Sequence, residues 1–114
     1  MAGEKNFDNK LKAWLKSEGC WHVKYFANRN TKRGIPDLLV CAEGKFVAIE
    51  VKGPGGKPSP LQLWTCDQIS KAGGIAVVAW PEDFERLKML VQKAMEGENV
   101  DDLLFEGKYL HPVP

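Results

Sequence analysis

The chain has 114 residues, of which 44% are hydrophobic and 27% charged, and carries a net charge of +1. That length and balance suit one globular domain and exclude a disordered or fibrous chain. No apolar run reaches the length of a membrane span, and Met1 to Asn6 lacks the apolar core of a signal peptide, so the chain reads as cytoplasmic with no membrane partner.

The elements follow from periodicity. Phe7, Leu11, Trp14 and Leu15 share one face of a helix expected over about 4–18, and Gly19 is a natural stop. Residues 20–26 read as a strand. Residues 28–34 are polar and basic, as in an exposed loop. Two apolar, β-branched runs over 37–41 and 46–52 read as a hairpin closed at Glu43-Gly44. Gly53 to Pro58 is a glycine- and proline-rich connection. Ser59 is expected as the N-cap of a helix with Pro60 in its first position, running to about 72 and ended by Gly73-Gly74. The almost wholly apolar run 75–80 suits a strand covered on both faces. Pro81 opens a last helix with a stripe of Phe84, Leu87, Leu90 (or Met89), Val91 and Ala94. The expected fold is α/β, in the order α-β-β-β-α-β-α, with a mixed central sheet flanked by helices. A single domain spans 1–114, its core over about 4–95. Residues 96–114 form an extension whose Leu103-Leu104-Phe105 and Tyr109-Leu110 are too apolar for a free tail. They are expected to pack on the core or across a partner chain.

Cys20, Cys41 and Cys66 are odd in number and lack metal-ligand spacing. They are expected to be buried, reduced thiols. Trp21, Trp64 and Trp80 are expected in the core, and His22 and His111 form no catalytic pattern.

The hairpin register carries the chemistry. With Glu43 and Gly44 as the central turn residues, Ala42 faces Lys45, Val40 faces Val47, and Asp37 falls opposite Glu50. Directly opposed residues have Cβ atoms roughly 5 Å apart. Two carboxylates at that spacing repel unless a cation lies between them. Carboxylate oxygens are hard ligands of the kind Mg²⁺ and Mn²⁺ prefer. Lys52, two residues past Glu50, projects from the same face.

Pro36-Asp37 followed by Glu50-Val51-Lys52 resembles the active-site signature of the PD-(D/E)xK nuclease superfamily. The surroundings sharpen this: Gly34 before the Pro-Asp pair, Gly53-Pro54 after Lys52, and Lys57-Pro58-Ser59-Pro60-Leu61-Gln62 opening the next helix. Together they resemble the VRR-NUC branch, particularly its small standalone phage and bacterial nucleases, over about 4–90.

The resemblance implies a restriction-endonuclease-like core and a Mg²⁺- or Mn²⁺-dependent endonuclease acting on branched DNA, Holliday junctions above all. It implies Asp37, Glu50 and the Val51 backbone carbonyl as metal ligands. Lys52 would orient the attacking water and offset charge on the phosphate. Gln62 would support the site or contact DNA. A first-helix acid would complete the metal shell, Glu4 by position, with Glu18 as competitor. Arg29, Lys32 and Arg33, with Lys57 beyond the motif, would meet phosphates. One site per chain and two strands to cut lead to an expected homodimer. The alternatives are a flap or restriction-like nuclease and a non-catalytic DNA-binding module of the same fold.

Overall fold

Glu43 and Gly44, with φ of 50° and 80°, close the hairpin on which the sheet is built. Positive φ at both central positions matches the right-handed twist of the flanking strands, and glycine adopts it without strain. The computed structural model describes residues 2–114. In chain order they form α1 (Ala2–Ser17), β1 (Trp21–Lys24), β2 (Leu38–Ala42), β3 (Lys45–Val51), α2 (Pro60–Lys71), β4 (Ile75–Ala79) and α3 (Phe84–Met95). The order α-β-β-β-α-β-α is the expected one. The sheet runs β1-β2-β3-β4, with β1, β2 and β3 antiparallel and β4 parallel to β3.

The sheet separates two apolar layers. On one face, Phe7, Leu11 and Leu15 of α1 and Leu87, Leu90, Val91 and Ala94 of α3 pack on Leu38, Val40, Val47, Ile49, Val51 and Val77. Leu90 takes the stripe position, and Met89 is exposed. On the other face, Cys66, Leu63 and Ile69 of α2 pack on Ala48, Ala76 and Val78. Ser59 caps α2 and Pro60 starts it, as the sequence requires.

Several expectations need correction. The first strand is Trp21–Lys24, shorter than 20–26, because its ladder with β2 runs only from Trp21↔Cys41 to Lys24↔Leu38, where β2 begins. Trp80 is buried, but Trp21 and Trp64 are 67% and 55% exposed. The reason is that α2 covers β3 and β4 and leaves the β1–β2 part of that face open. Trp21, Cys41 and Phe46 lie side by side across β1, β2 and β3 there, all exposed. Beside them Trp64, Ile69, Ile35 and Leu39 line an apolar groove of about 430 Å³. Cys41 is therefore an exposed thiol, while Cys20 and Cys66 are buried, and all three are free.

The extension packs back on the core. Val100, Leu103, Tyr109 and Leu110 are buried. Tyr109 bridges Val78 in the parallel sense, and the Val78 N–H donates to the Lys108 carbonyl at 2.9 Å. The segment thus lies along the outer edge of β4. No helix among the described residues is long and apolar enough to cross a membrane.

Candidate active site

The site forms where β3 and β4 end and α2 begins. The pairing of Leu38 with Ile49 puts Asp37 opposite Glu50, in the register the sequence implied. Two backbone contacts fix Asp37: its carbonyl accepts the Tyr25 N–H at 2.7 Å, and its Oδ2 accepts the Val51 N–H at 2.9 Å. Gly34 lets the preceding loop approach α2. It has φ of 78°, and a Cβ there would lie 2.6 Å from Leu61 Cγ. Only glycine fits both demands, so the loop leading to Pro36-Asp37 is held against the first turn of that helix at Gly34.

Glu50 is 2% exposed. Its Oε2 is 3.1 Å from Lys52 Nζ and accepts the Gln62 Nε2–H at 3.0 Å. Gln62 is itself locked, because its Oε1 accepts the Ser59 N–H at 2.8 Å while its own N–H donates to Ser59 Oγ at 3.1 Å. This capping box starts α2 and holds the amide against Glu50 in one arrangement. Glu50 Oε1, by contrast, is buried and has no hydrogen-bond partner. Burial and then the neighbouring Asp37 carboxylate push the Glu50 carboxyl up to about 7, and Lys52 only partly offsets them. Two facing acids, one with an orphaned buried oxygen, form a site short of positive charge.

The structure brings Asp37, Glu50, Val51, Lys52 and Gln62 together. Glu4 is near but apart: the start of α1 packs on the chain just after Lys52, so a Cβ at Gly53 would meet Glu4 Cβ at 3.0 Å. Yet among the described residues no three acidic, histidine or cysteine side chains gather at metal-holding spacing. Glu4 therefore stands at the entrance of α1 beside the carboxylate pair, without joining it directly. Glu18 lies at the other end of α1, where its Oε1 faces Gln92 Nε2 at 3.5 Å on α3. The sixteen residues of α1 thus separate Glu18 from the end of the helix that packs beside Gly53.

The basic residues flank the site. Arg29, Lys32 and Arg33 are exposed on the loop that leads through Gly34 to Asp37. Arg29 and Arg33 line a concavity of about 360 Å³ with Asn28 and Gly34. Lys57 is exposed on the opposite side, between β3 and α2. Lys24, at the end of β1, is instead paired with the buried Asp8 at 3.3 Å.

One arrangement is absent from the sequence reading. His111 Nδ1 lies 2.6 Å from Asp83 Oδ1, and the other Asp83 oxygen accepts the Trp80 N–H at 2.9 Å. His111 and Asp83 are 28 positions apart in the chain, which leaves no spacing signal to find the contact. His111 therefore has a partner that the sequence did not suggest.

A family model described as the VRR-NUC domain matches residues 4–81. A protein of Acyrthosiphon pisum secondary endosymbiont phage 1, named "Putative nuclease p44", is 35% identical over 57 residues, which is 49% of this chain and 61% of that protein. The chain thus matches less than two thirds of that relative's length. No solved structure matches the chain.

Proposed function

This chain belongs to the VRR-NUC domain family, and from that premise we propose that it is a Mg²⁺- or Mn²⁺-dependent endonuclease that hydrolyses phosphodiester bonds in branched DNA, with four-way junctions as the favoured substrate. The observation that carries the metal reading is Glu50 Oε1, buried without a partner beside a second carboxylate. Two carboxylates fit a hard divalent ion, and Mg²⁺ keeps several waters and needs few protein ligands. Asp37, Glu50 and the Val51 carbonyl would hold it. When bound, the ion would supply Lewis-acid polarisation of the scissile phosphate and a more acidic water.

The remaining work falls to this chain's own side chains. Lys52, mostly buried and 3.1 Å from Glu50 Oε2, sets a positive charge at the reacting phosphate and orients the attacking water. Gln62 keeps Glu50 from rotating away. Arg29, Lys32 and Arg33 on one side, and Lys57 on the other, would meet backbone phosphates of the incoming strands.

One site per chain and symmetric cutting of a junction call for two copies. The exposed row of Trp21, Cys41 and Phe46, beside Trp64, supports a homodimer, because an apolar aromatic face of this kind is typical of an interface core. Sedimentation in the presence of junction DNA tests this, and a monomer throughout would remove the dimer.

The function is tested by cleavage of end-labelled four-way junction, flap and linear duplex with Mg²⁺ or Mn²⁺, comparing the native protein with Asp37→Ala. Junction cutting lost in the variant is the expected result. Preferential flap cutting would favour the flap reading. Binding without cutting under either ion would leave a DNA-binding module.

A further inference from the structure

Beyond the carboxylate pair, the sheet carries a second row of side chains on the same face. Val51 pairs with Ala79, so Lys52 flanks Trp80. Val78 bridges Tyr109 in the parallel sense, so two residues on, Trp80 and His111 come side by side, with ring centroids 5.0 Å apart. Lys52, Trp80 and His111 therefore line up across three neighbouring segments. At the spacing of adjacent strands, Lys52 and His111 are about 10 Å apart.

Everything around His111 is fixed. Asp83 is 2% exposed, and its two oxygens take the Trp80 N–H and His111 Nδ1. A carboxylate only accepts, so Nδ1 carries the hydrogen and Nε2 is the ring's remaining nitrogen. Nε2 makes no hydrogen bond among the described residues, and the side chain is 30% exposed. Trp80 in turn donates its Nε1–H to the Gly56 carbonyl at 2.8 Å. That bond ties the 53–57 connection, and with it Lys57, to the same point. The result is a concavity of about 300 Å³ lined by Gly55, Gly56, Lys57, Trp80, Glu82 and His111. A Cβ on Gly55 would meet nothing within 4 Å, so that backbone borders open space.

We propose that His111, held by Asp83, and Lys57 form a binding subsite for a DNA backbone phosphate, beside the cleavage centre and on the same face of the sheet. The proposal rests on the nuclease reading above, since it extends the path of the strand that lies over Lys52. A carboxylate behind an imidazole sets its tautomer and ring orientation and leaves the outer nitrogen for a ligand. Protonated, that nitrogen donates to a phosphate oxygen, with the Lys57 ammonium as second donor. The ring keeps a free nitrogen and is partly exposed over a hollow that is apolar on the side of Trp80, Val113 and Pro114 and offers the Lys57 ammonium as its cation. Glu82 is the one acid among the lining residues named, and it is exposed to solvent rather than part of the floor.

The test uses the unaltered protein in EDTA, so that no cutting occurs, titrated with a linear DNA duplex. The chain has two histidines, so the ring signals are readily resolved by NMR. The His111 signals are expected to shift with added duplex, and those of His22 to stay. In parallel, His111→Gln is expected to bind the duplex roughly three- to tenfold more weakly. The slope of log affinity against log salt is expected to fall by about 0.9, the value of one phosphate contact. A purely structural role for the ring would move stability but not that slope. Unmoved His111 signals, or a variant with superposable affinity and slope, would overturn the subsite. If the variant fails to fold, the NMR titration of the native protein decides by itself. Junction cutting with Mn²⁺ but no shift at His111 defeats the subsite alone, whereas no DNA binding or cutting at all defeats the nuclease reading with it.

Discussion

Gln62 reaches Glu50 with one end of its amide, at 3.0 Å, and the N–H of Ser59 with the other, at 2.8 Å. The residue that completes the cap of α2 is thus the residue that orients the central carboxylate. Gln62→Ala and Ser59→Ala each remove part of the cap and are expected to cost about 1 kcal/mol of stability. Only Gln62→Ala also frees Glu50. Single-turnover cleavage should therefore fall about tenfold in Gln62→Ala and stay near native in Ser59→Ala, with thermal melts confirming similar stability losses.

Asp37→Asn separates charge from shape. The amide oxygen can still accept the Val51 N–H, so the hairpin should keep its register. Repulsion with Glu50 disappears, and the melting temperature without metal should hold or rise. Cleavage should fall by at least about a hundredfold, since one hard anionic ligand is gone. A variant that cuts normally would dismiss the metal site drawn here.

Glu50 gives a pH dependence with a definite sign. Its carboxyl lies at about 7 in the folded chain against 4.5 for the free group, so the folded state holds the proton more tightly. Stability of the metal-free protein is then greatest at low pH as far as this group is concerned, and falls as pH rises from 4.5 to about 7. Melts across that window in EDTA should show the decline, and Glu50→Gln should flatten it. Mg²⁺ competes with the same proton, so its stabilising effect should be larger at about pH 8 than at about pH 6.

Gly34→Ala should be costly for its size. The left-handed backbone and the 2.6 Å approach to Leu61 Cγ penalise any Cβ, and together they should remove about 2 kcal/mol or more. Because Gly34 anchors the loop that leads into Pro36-Asp37, cleavage should drop as well. Chemical denaturation and cleavage of the same preparation check both.

The parts of this molecule written in local residues were legible before the structure. Glu43-Gly44 dictated the hairpin and, through it, the meeting of Asp37 with Glu50. Ser59-Pro60 marked the start of α2, and the 3.6-residue stripe of α3 named its buried face. What escaped depends on which surface covers which. Trp21 and Trp64 look like core residues by type, and nothing local says that α2 stops short of β1 and β2. Helical position placed Glu4 near the site but could not say whether its carboxylate joined the pair. The Asp83–His111 contact depends on a C-terminal segment returning along β4, which no periodicity announces.

That returning segment has a consequence for growth of the sheet. One lateral border of the four strands is occupied by Lys108 and Tyr109, while the other, β1, is bare and bears Trp21 and Val23. Among the described residues, β1 is the border left open to a strand-by-strand association between molecules. Two chains meeting there about a twofold axis use up both bare borders and leave none for a third. An association of that kind would close on itself as a pair, whereas the same apolar border meeting a different surface would propagate into a polymer.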